Sequence, residues 1–554
     1  FKAFGHGTTE IVPSNNPKIL AFVREYVGER ILVVMNLSRF SQAVELELSR
    51  FEGSVPEEVM SGNKFPAIGA NSYVLTLGFY DYYWFSLAQE TSIAPPSGED
   101  APAVLSVSGD WDAVLQGKAR EHLEREVLPH HLARSRWFGG KARSIKTARI
   151  ADAVPMRLDG ERFQLLVLEV RYHEGSNETY ILPLGFASGE EAAAIRQQPH
   201  SILLSVRTSG DEGVLFDACA SEHFRKSVFQ MIARKNDLRG GSGILSGKPG
   251  RALKSALVRT VESERSQLLK AEQSNSSFLY GTELLMKLYR KIEEGLNPDL
   301  EIGRYLTESQ KFSNTPDVFG SLEYRRKGQE PLILGTLVKY VPNQGDAWTM
   351  TLDSVRGYIE RVLAVRNEIK ELPPLPASVL SASTSEPAEL LQELIGGVYL
   401  EMAAKIGHRT GEMHLALSRP TDDPAFAPEP FSLLYQKSLF HSMRTLTKRT
   451  LELLRKSMKH LPEDVREDAS RLLTMESKII DTFANFVHRR LSVTKIRVHG
   501  DYHLGQLLFT GNDFVIIDFE GEPARSISER RLKRSPLRDV AGMIRSFHYP
   551  VYSV

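Results

Sequence analysis

Residues 496–522 read IRVHGDYHLGQLLFTGNDFVIIDFEGE. Two apolar runs, LLF and FVII, flank TGND, whose Gly, Asn and Asp suit a tight hairpin turn, so the runs are expected to pair as antiparallel strands. With the turn centred on Asn512, Gln506 and Asp518 lie equally far from it and face each other at the open end. Asp501, five residues before Gln506, then falls beside them.

A hard divalent cation takes oxygen ligands and leaves several positions for phosphate and water. The amide oxygen of Gln506 and the carboxylate of Asp518, with Glu520 as a further candidate, provide such a set for Mg2+. A catalytic Asp, an amide ligand five residues on and an Asp ending the next strand form the layout of kinase-type phosphoryl transfer. Asp501 takes the place of the base that accepts a proton from the attacking hydroxyl. The bland alternative is a polar hairpin with solvated carboxylates, and the joint spacing argues against it.

Upstream residues complete the pattern for an ATP site. Lys287 lies in the expected strand ELLMKLY, where an ammonium can reach the α- and β-phosphates if a carboxylate fixes it. Glu301 is the candidate carboxylate, because Asn297 is a suitable N-cap and Pro298 a suitable first helical residue, which places Glu301 in the first turn of a helix. Ser274, Asn275, Ser276 and Ser277 fall at an expected turn in KAEQSNSSFLYG, where amides and hydroxyls can cradle phosphate; Ser274, Asn275 and Ser276 are the ATP-contacting candidates. The glycine-rich GGSGILSGKPG is not a P-loop, since Ser242 and Pro249 occupy positions that need Gly and Ser or Thr. It is not a Rossmann fingerprint either, since Ser246 replaces the third glycine. A mobile surface loop is expected there.

At 554 residues the chain exceeds one hydrophobic core, so several domains are expected. Residues 1–90 carry short β-rich runs such as ILAFVREY and YYWFSL, which predict a small antiparallel sandwich. The Pro-, Ser- and Gly-rich 91–110 reads as a linker. A β-rich lobe is expected over 111–340, and a helical lobe with the catalytic loop over 341–554. The long patterns LIGGVYLEMAAKIGHRTGEMHLAL and SRLLTMESKIIDTFANFVHRRL read as single helices. The fold class is thus a multidomain chain: an all-β sandwich followed by an α+β, two-lobed, protein-kinase-like fold.

Lys plus Arg (69) equals Asp plus Glu (69), so no global field draws the chain to nucleic acid or to a membrane. The single cysteine, Cys219, excludes an internal disulfide framework and suits a reducing compartment. No apolar run reaches the roughly 18 residues of a membrane span, and a cytoplasmic protein is expected. His408 and His414 are six apart and lack zinc spacing, so packing or polar contacts are expected. Arg530, Arg531, Lys533 and Arg534 read as a solvated basic face, and Trp137 and Trp348 as core aromatics before sugar platforms.

Together HGDYHLGQ, DFEGEPAR, EQSNSS, MKLYRKIEEGLNPDLE, SRWFGGKAR and SPLRDVAGMIRSF resemble the maltokinases, ATP-dependent kinases that make maltose 1-phosphate, from about residue 115 to the end. The resemblance implies Asp501 as base, Gln506, Asp518 and Glu520 at Mg2+, Lys287 and Glu301 at ATP, and Leu337 to Val341 as the hinge under adenine. FGHGTTEIVPSNNPKILAFVREY and ERILVVMNLSRFSQAVELELS resemble the end of an α-amylase-type trehalose synthase, a family often fused to maltokinase. Its barrel is not in this sequence, so sugar isomerisation is not expected, and a fused or associated trehalose synthase barrel is the implied partner. The chain begins at Phe1, as if inside a longer polypeptide, and ends at FHYPVYSV, where maltokinases continue through further helices that enclose the sugar. The acceptor is therefore expected to be maltose. The alternatives are an aminoglycoside, choline or another sugar, or a non-catalytic glycan-binding module.

Overall fold

The structure of the chain is a computed structural model. It describes residues 2–87, 104–368 and 389–553, except 27–28, 39–41, 60–64, 67, 70–71, 78–81, 142, 159, 264, 270–273 and 488–490. The described residues fall into two compact units, 1–151 with 163–220, and 152–162 with 221–554.

The first unit opens with the expected sandwich. Alternation of buried and half-exposed positions along Ile19–Tyr26 marks a strand with one face on a core. Its sheet runs Thr8–Ile11, Ile19–Tyr26, Glu29–Asn36, Tyr82–Ser86, Glu57–Glu58, and a second sheet pairs Gln42–Leu46 with Tyr73–Leu77. Leu32, Val34, Leu46, Leu48, Leu77 and Phe85 form the buried layer between them. Most of the stretch expected as linker lies outside the described residues. Its end, Val104–Ser106, is instead a strand parallel to Ile202–Arg207 at the edge of a second large sheet. That sheet continues through Glu212–Asp217, Glu178–Ser188, Glu161–Tyr172 and Ile145–Leu158. Leu165 to Leu168 are all buried, as expected of a strand covered on both faces.

The second unit carries an antiparallel sheet in the order Asp237–Arg239, Gly243–Pro249, Val318–Arg326, Leu332–Lys339, Leu284–Tyr289, Asn275–Tyr280, Ser266–Leu269. The glycine-rich stretch expected as a mobile loop is therefore a hairpin within this sheet. Its glycines serve close packing: a Cβ on Gly247 would lie 2.0 Å from the Met231 carbonyl oxygen of the neighbouring helix Glu222–Ala233. Asp152 secures the same hairpin by accepting the Gly241 and Ser242 N–H groups at 2.8 and 3.1 Å and the Tyr324 hydroxyl at 2.5 Å.

Helices dominate after the sheet. Ala347–Val365 is capped by Asp346, whose carboxylate accepts the Thr349 N–H at 2.8 Å. The first expected long helix is broken: Gly396 adopts φ +92 between Glu389–Ile395 and Gly397–Leu417. The second divides at Met475 into Glu463–Thr474 and Glu476–Val487. Ile406, Met413 and Leu417 from the long helix pack on Val498, Leu504, Leu507, Phe514 and Ile516, so the hairpin around TGND sits on this core. The chain is thus multidomain, a β-sandwich followed by further β-rich and helical parts. Among the described residues no helix is long and apolar enough to cross a membrane.

Candidate active site

The hairpin forms with strands Leu507–Phe509 and Phe514–Ile516 in the register Leu507↔Ile516, Leu508↔Val515, Phe509↔Phe514. Its centre lies between Gly511 and Asn512, half a residue from the expected one, so Gln506 stands across from Ile517, whose N–H it accepts at 3.0 Å. Asp518 nevertheless meets Gln506, because its backbone turns left-handed at φ +66 and swings the carboxylate back. Gln506 Nε2 donates to Asp518 Oδ2 at 2.9 Å. A half-turn of the amide presents its oxygen to the same place.

Lys287 reaches this point from the sheet. Its ammonium lies 2.5 Å from Asp518 Oδ1 and 2.6 Å from Glu520, with Asp299 Oδ2 at 3.8 Å. Burial opposes the charge on Lys287, but Asp518, Glu520 and Asp299 outweigh it and hold its pKa above the ordinary lysine value. Burial likewise works against Asp518, and Lys287 overcomes it, holding the carboxyl below its usual range. Glu520 goes the other way. Burial, together with Asp518 and Asp299, pushes it up to about 7 despite Lys287. One ammonium is too little cation for three carboxylates whose oxygens lie within 4.8 Å of one another. That surplus of hard oxygen donors fits a divalent cation held by Asp518 and Glu520 with the Gln506 amide oxygen.

Two sequence expectations need correction here. Glu301 does not pair with Lys287. It is buried between two arginines, accepting from Arg497 at 2.7 Å and from Arg531 at 2.7 and 3.0 Å. The N-cap reading was sound, since the Asn297 side chain accepts the Asp299 N–H at 2.9 Å and Pro298 opens the helix Pro298–Arg304. However, it is Asp299, two positions earlier, that faces the lysine. Ser276 also points away: in the strand Asn275–Tyr280 it accepts from Arg290 at 2.8 Å, on the side opposite Lys287. Strand register pairs Lys287 with Ser277, so Ser277 is the serine on the lysine's face, and its hydroxyl is buried without a hydrogen-bond partner. Asn275 donates to Glu520 at 3.2 Å, and Ser274 lines the adjoining cavity.

That cavity, about 460 Å³, is walled by Leu269, Leu285, Val338, Leu508 and Ile517 and ends at Lys287, Gln506 and Asp518. Val338 to Val341 of the expected hinge line it, whereas Leu337 is fully buried in the sheet. Asp501 opens onto a second cavity of about 720 Å³, with Trp348, Glu522, Arg538, Arg545 and Tyr549 around it. The loop 500–506 therefore turns Asp501 to one cavity and Gln506 to the other.

A buried acid that the sequence reading passed over holds this loop. Asp539, in the helix Leu537–His548, accepts the N–H groups of His499 at 2.9 Å and Gly500 at 3.0 Å, and its Oδ2 lies 3.0 Å from His414 Nε2. Burial alone would raise its pKa, but His414, His499 and the Gly500 amide hold it below the usual range. His414 is thus a polar contact of the loop, and His408 pairs with Glu412 at 3.1 Å. The basic run is not a solvated face: Arg530 binds Glu293 at 2.9 Å, Arg531 binds Glu301, and Lys533 binds Glu429 at 2.9 Å. Trp137 packs with Tyr180 at 6.1 Å.

Residues 9–84 match the Maltogenic Amylase, C-terminal domain family, residues 131–220 the Maltokinase N-terminal cap domain, and residues 267–521 the Phosphotransferase enzyme family. The chain is 46% identical over 98 residues to a trehalose synthase of Pimelobacter sp. (strain R48), covering 17% of each chain. It is 22% identical over 280 residues to a glucosamine kinase of Streptacidiphilus jiangxiensis, covering 50% of this chain and 53% of that one. A solved structure of glucosamine kinase in complex with glucosamine, ADP and inorganic phosphate aligns over 81% of both chains at 17% identity, with a TM-score of 0.47. The chain therefore spans less than two thirds of these curated relatives. The three matches, to an amylase-type C-terminal domain, a maltokinase cap and a phosphotransferase family in that order, form a series consistent with a fusion of trehalose synthase and maltokinase type.

Proposed function

We propose that this chain transfers the γ-phosphoryl group of ATP to the anomeric hydroxyl of maltose, giving maltose 1-phosphate and ADP. The observation that carries the reading is the placement of Asp501 and Gln506 on one loop but in two cavities. One cavity has apolar walls for a flat base and a cationic, oxygen-rich end for phosphates. The other has charged groups and an indole, as a polyol requires.

In this reading Asp501 accepts the proton of the attacking hydroxyl and orients its oxygen toward the phosphate. Lys287 binds α- and β-phosphate oxygens once nucleotide draws it from Asp518 and Glu520. Asp518 and Gln506, with Glu520, would hold Mg2+, which supplies neutralisation of charge on the transferring group. Maltose as acceptor is supported by the cap domain and by the resemblance of SRWFGGKAR and HGDYHLGQ to maltokinases. Glucosamine is the rival acceptor, supported by the match over half of this chain to a glucosamine kinase. Residues 1–90, a linker from 91 that ends before the strand Val104–Ser106, a cap with β-rich lobe to 340 and a helical lobe to 554 are the proposed division of the chain.

An acceptor panel with terminally labelled ATP and Mg2+ tests the proposal. Label is expected on maltose, in an alkali-stable but acid-labile anomeric ester, and not on glucosamine, choline or an aminoglycoside. Label on glucosamine alone would replace maltose with the rival acceptor, and ATP-independent maltose binding without any transfer would leave a glycan-binding module.

A further inference from the structure

A chain of hydrogen bonds runs from the sheet to the loop that carries Asp518. Thr336, at the edge of the nucleotide-sized cavity, lies 3.0 Å from the Tyr289 hydroxyl. That hydroxyl donates to Asp299 Oδ2 at 2.9 Å. The other oxygen, Asp299 Oδ1, accepts the N–H of Phe519 at 2.9 Å. Phe519 N–H belongs to the peptide that leaves Asp518, and Asp518 is one of three non-glycine residues with positive φ among the described residues.

The geometry points to Asp299 as the positioning residue for Asp518, an inference that rests on the phosphotransfer reading above. A left-handed aspartate persists only where its surroundings over-determine it. Without that turn the register places Asp518 one step beyond Gln506, and the two side chains do not converge. Asp299 is itself immobilised before it acts. Its N–H is held by the Asn297 side chain, Pro298 fixes the preceding backbone, and Tyr289 takes one carboxylate oxygen, leaving the other aimed at Phe519. The side chain thus joins the first turn of a helix, the strand carrying Lys287 and the candidate cation ligand. Glu301, which the lysine-and-helix pattern nominates, is committed elsewhere to Arg497 and Arg531.

The experiment compares Asp299→Ala, Asp299→Asn and Tyr289→Phe in the full chain. It reads Mn2+ binding by electron paramagnetic resonance with ADP present, and the KM for acceptor alongside. Removing a residue that orients a metal ligand costs metal affinity about 10–100-fold, and that loss is expected for Asp299→Ala with the acceptor KM unchanged. Asp299→Asn retains an oxygen for Phe519 N–H, so it is expected to recover most of the affinity, and Tyr289→Phe to lose a smaller part. Equal losses in the Ala and Asn variants would make the charge of Asp299, not its hold on Phe519, the cause, and would overturn the inference. So would Mn2+ affinity in Asp299→Ala equal to that of the unaltered chain. If the Ala variant does not fold, unimpaired binding by Tyr289→Phe together with full loss in Asp299→Asn is the overturning result. Failure of the unaltered chain to bind Mn2+ with ADP would instead sink the phosphotransfer reading, and the inference with it.

Discussion

The two cavities on either side of the loop 500–506 differ in what surrounds them. On the side proposed for ATP, the donor side, strands of the sheet contribute Leu269, Leu285 and Val338, and the hairpin contributes Leu508 and Ile517, so charge is confined to one end. On the side proposed for the sugar, the acceptor side, Asp346, Glu522, Arg538, Arg545 and Tyr549 come mainly from helices and loops, and charge is spread around the wall. Regular strands with period-two alternation build an apolar slot almost automatically. A polyol pocket needs individually placed polar groups, which loops and helix ends supply.

This contrast gives an ordered set of tests. The largest effect is expected where the two sides meet. Asp501→Asn should lower kcat by about 10²–10⁴-fold, the usual contribution of a general base, while calorimetric ATP affinity stays unchanged. A parallel fall in ATP affinity would show that the loop does not divide its work. Next comes the support beneath the loop. Asp539→Ala leaves the His499 and Gly500 amides without their acceptor and should cost about 1–3 kcal/mol in urea unfolding for each amide left unsatisfied.

Glu301→Gln probes the helix that borders the donor side, with an expected loss of about 1.5–3 kcal/mol from charge-assisted bonds to Arg497 and Arg531. Its pH dependence has a definite sign. Burial raises the Glu301 pKa, but the two arginines prevail and hold it below the ordinary 4.5. Its stabilisation is therefore complete above that value and disappears as pH falls through the depressed folded-state value. The gap between Glu301→Gln and the unaltered chain should close in acid unfolding, and a gap independent of pH would refute the ion-pair account. The smallest effect is on the acceptor side: Trp348→Ala should raise the acceptor KM about two- to tenfold, the worth of one aromatic contact, and leave the KM for ATP alone.

Much of the donor side was legible in the sequence because it depends on local spacing. The hairpin, the strand with Lys287 and the cap by Asn297 all follow from turn chemistry and period. Three details were not, each for a physical reason. The left-handed turn at Asp518 is not encoded by residue type, since aspartate adopts it only where its surroundings hold it. Choosing Asp299 over Glu301 depends on where Arg497 and Arg531 lie, about 200 residues away in the chain. Ser277 replaced Ser276 because the stretch is a strand rather than a turn, and a strand alternates its faces. The basic run misled for a related reason: composition marks Arg530, Arg531 and Lys533 as solvated, while Glu293, Glu301 and Glu429 from remote segments engage them. The acceptor side was the least legible, since Asp539 and Trp348 carry no local signal of their neighbours.

The most direct test of the divided loop is a crystal structure with Mg2+, a non-hydrolysable ATP analogue and maltose. The account predicts oxygens of Gln506 and Asp518 at roughly 2.0–2.1 Å from the cation, and the anomeric oxygen within about 2.6–3.2 Å of the Asp501 carboxylate. A cation bound away from both ligands, or maltose seated outside the cavity that Asp501 faces, would contradict it.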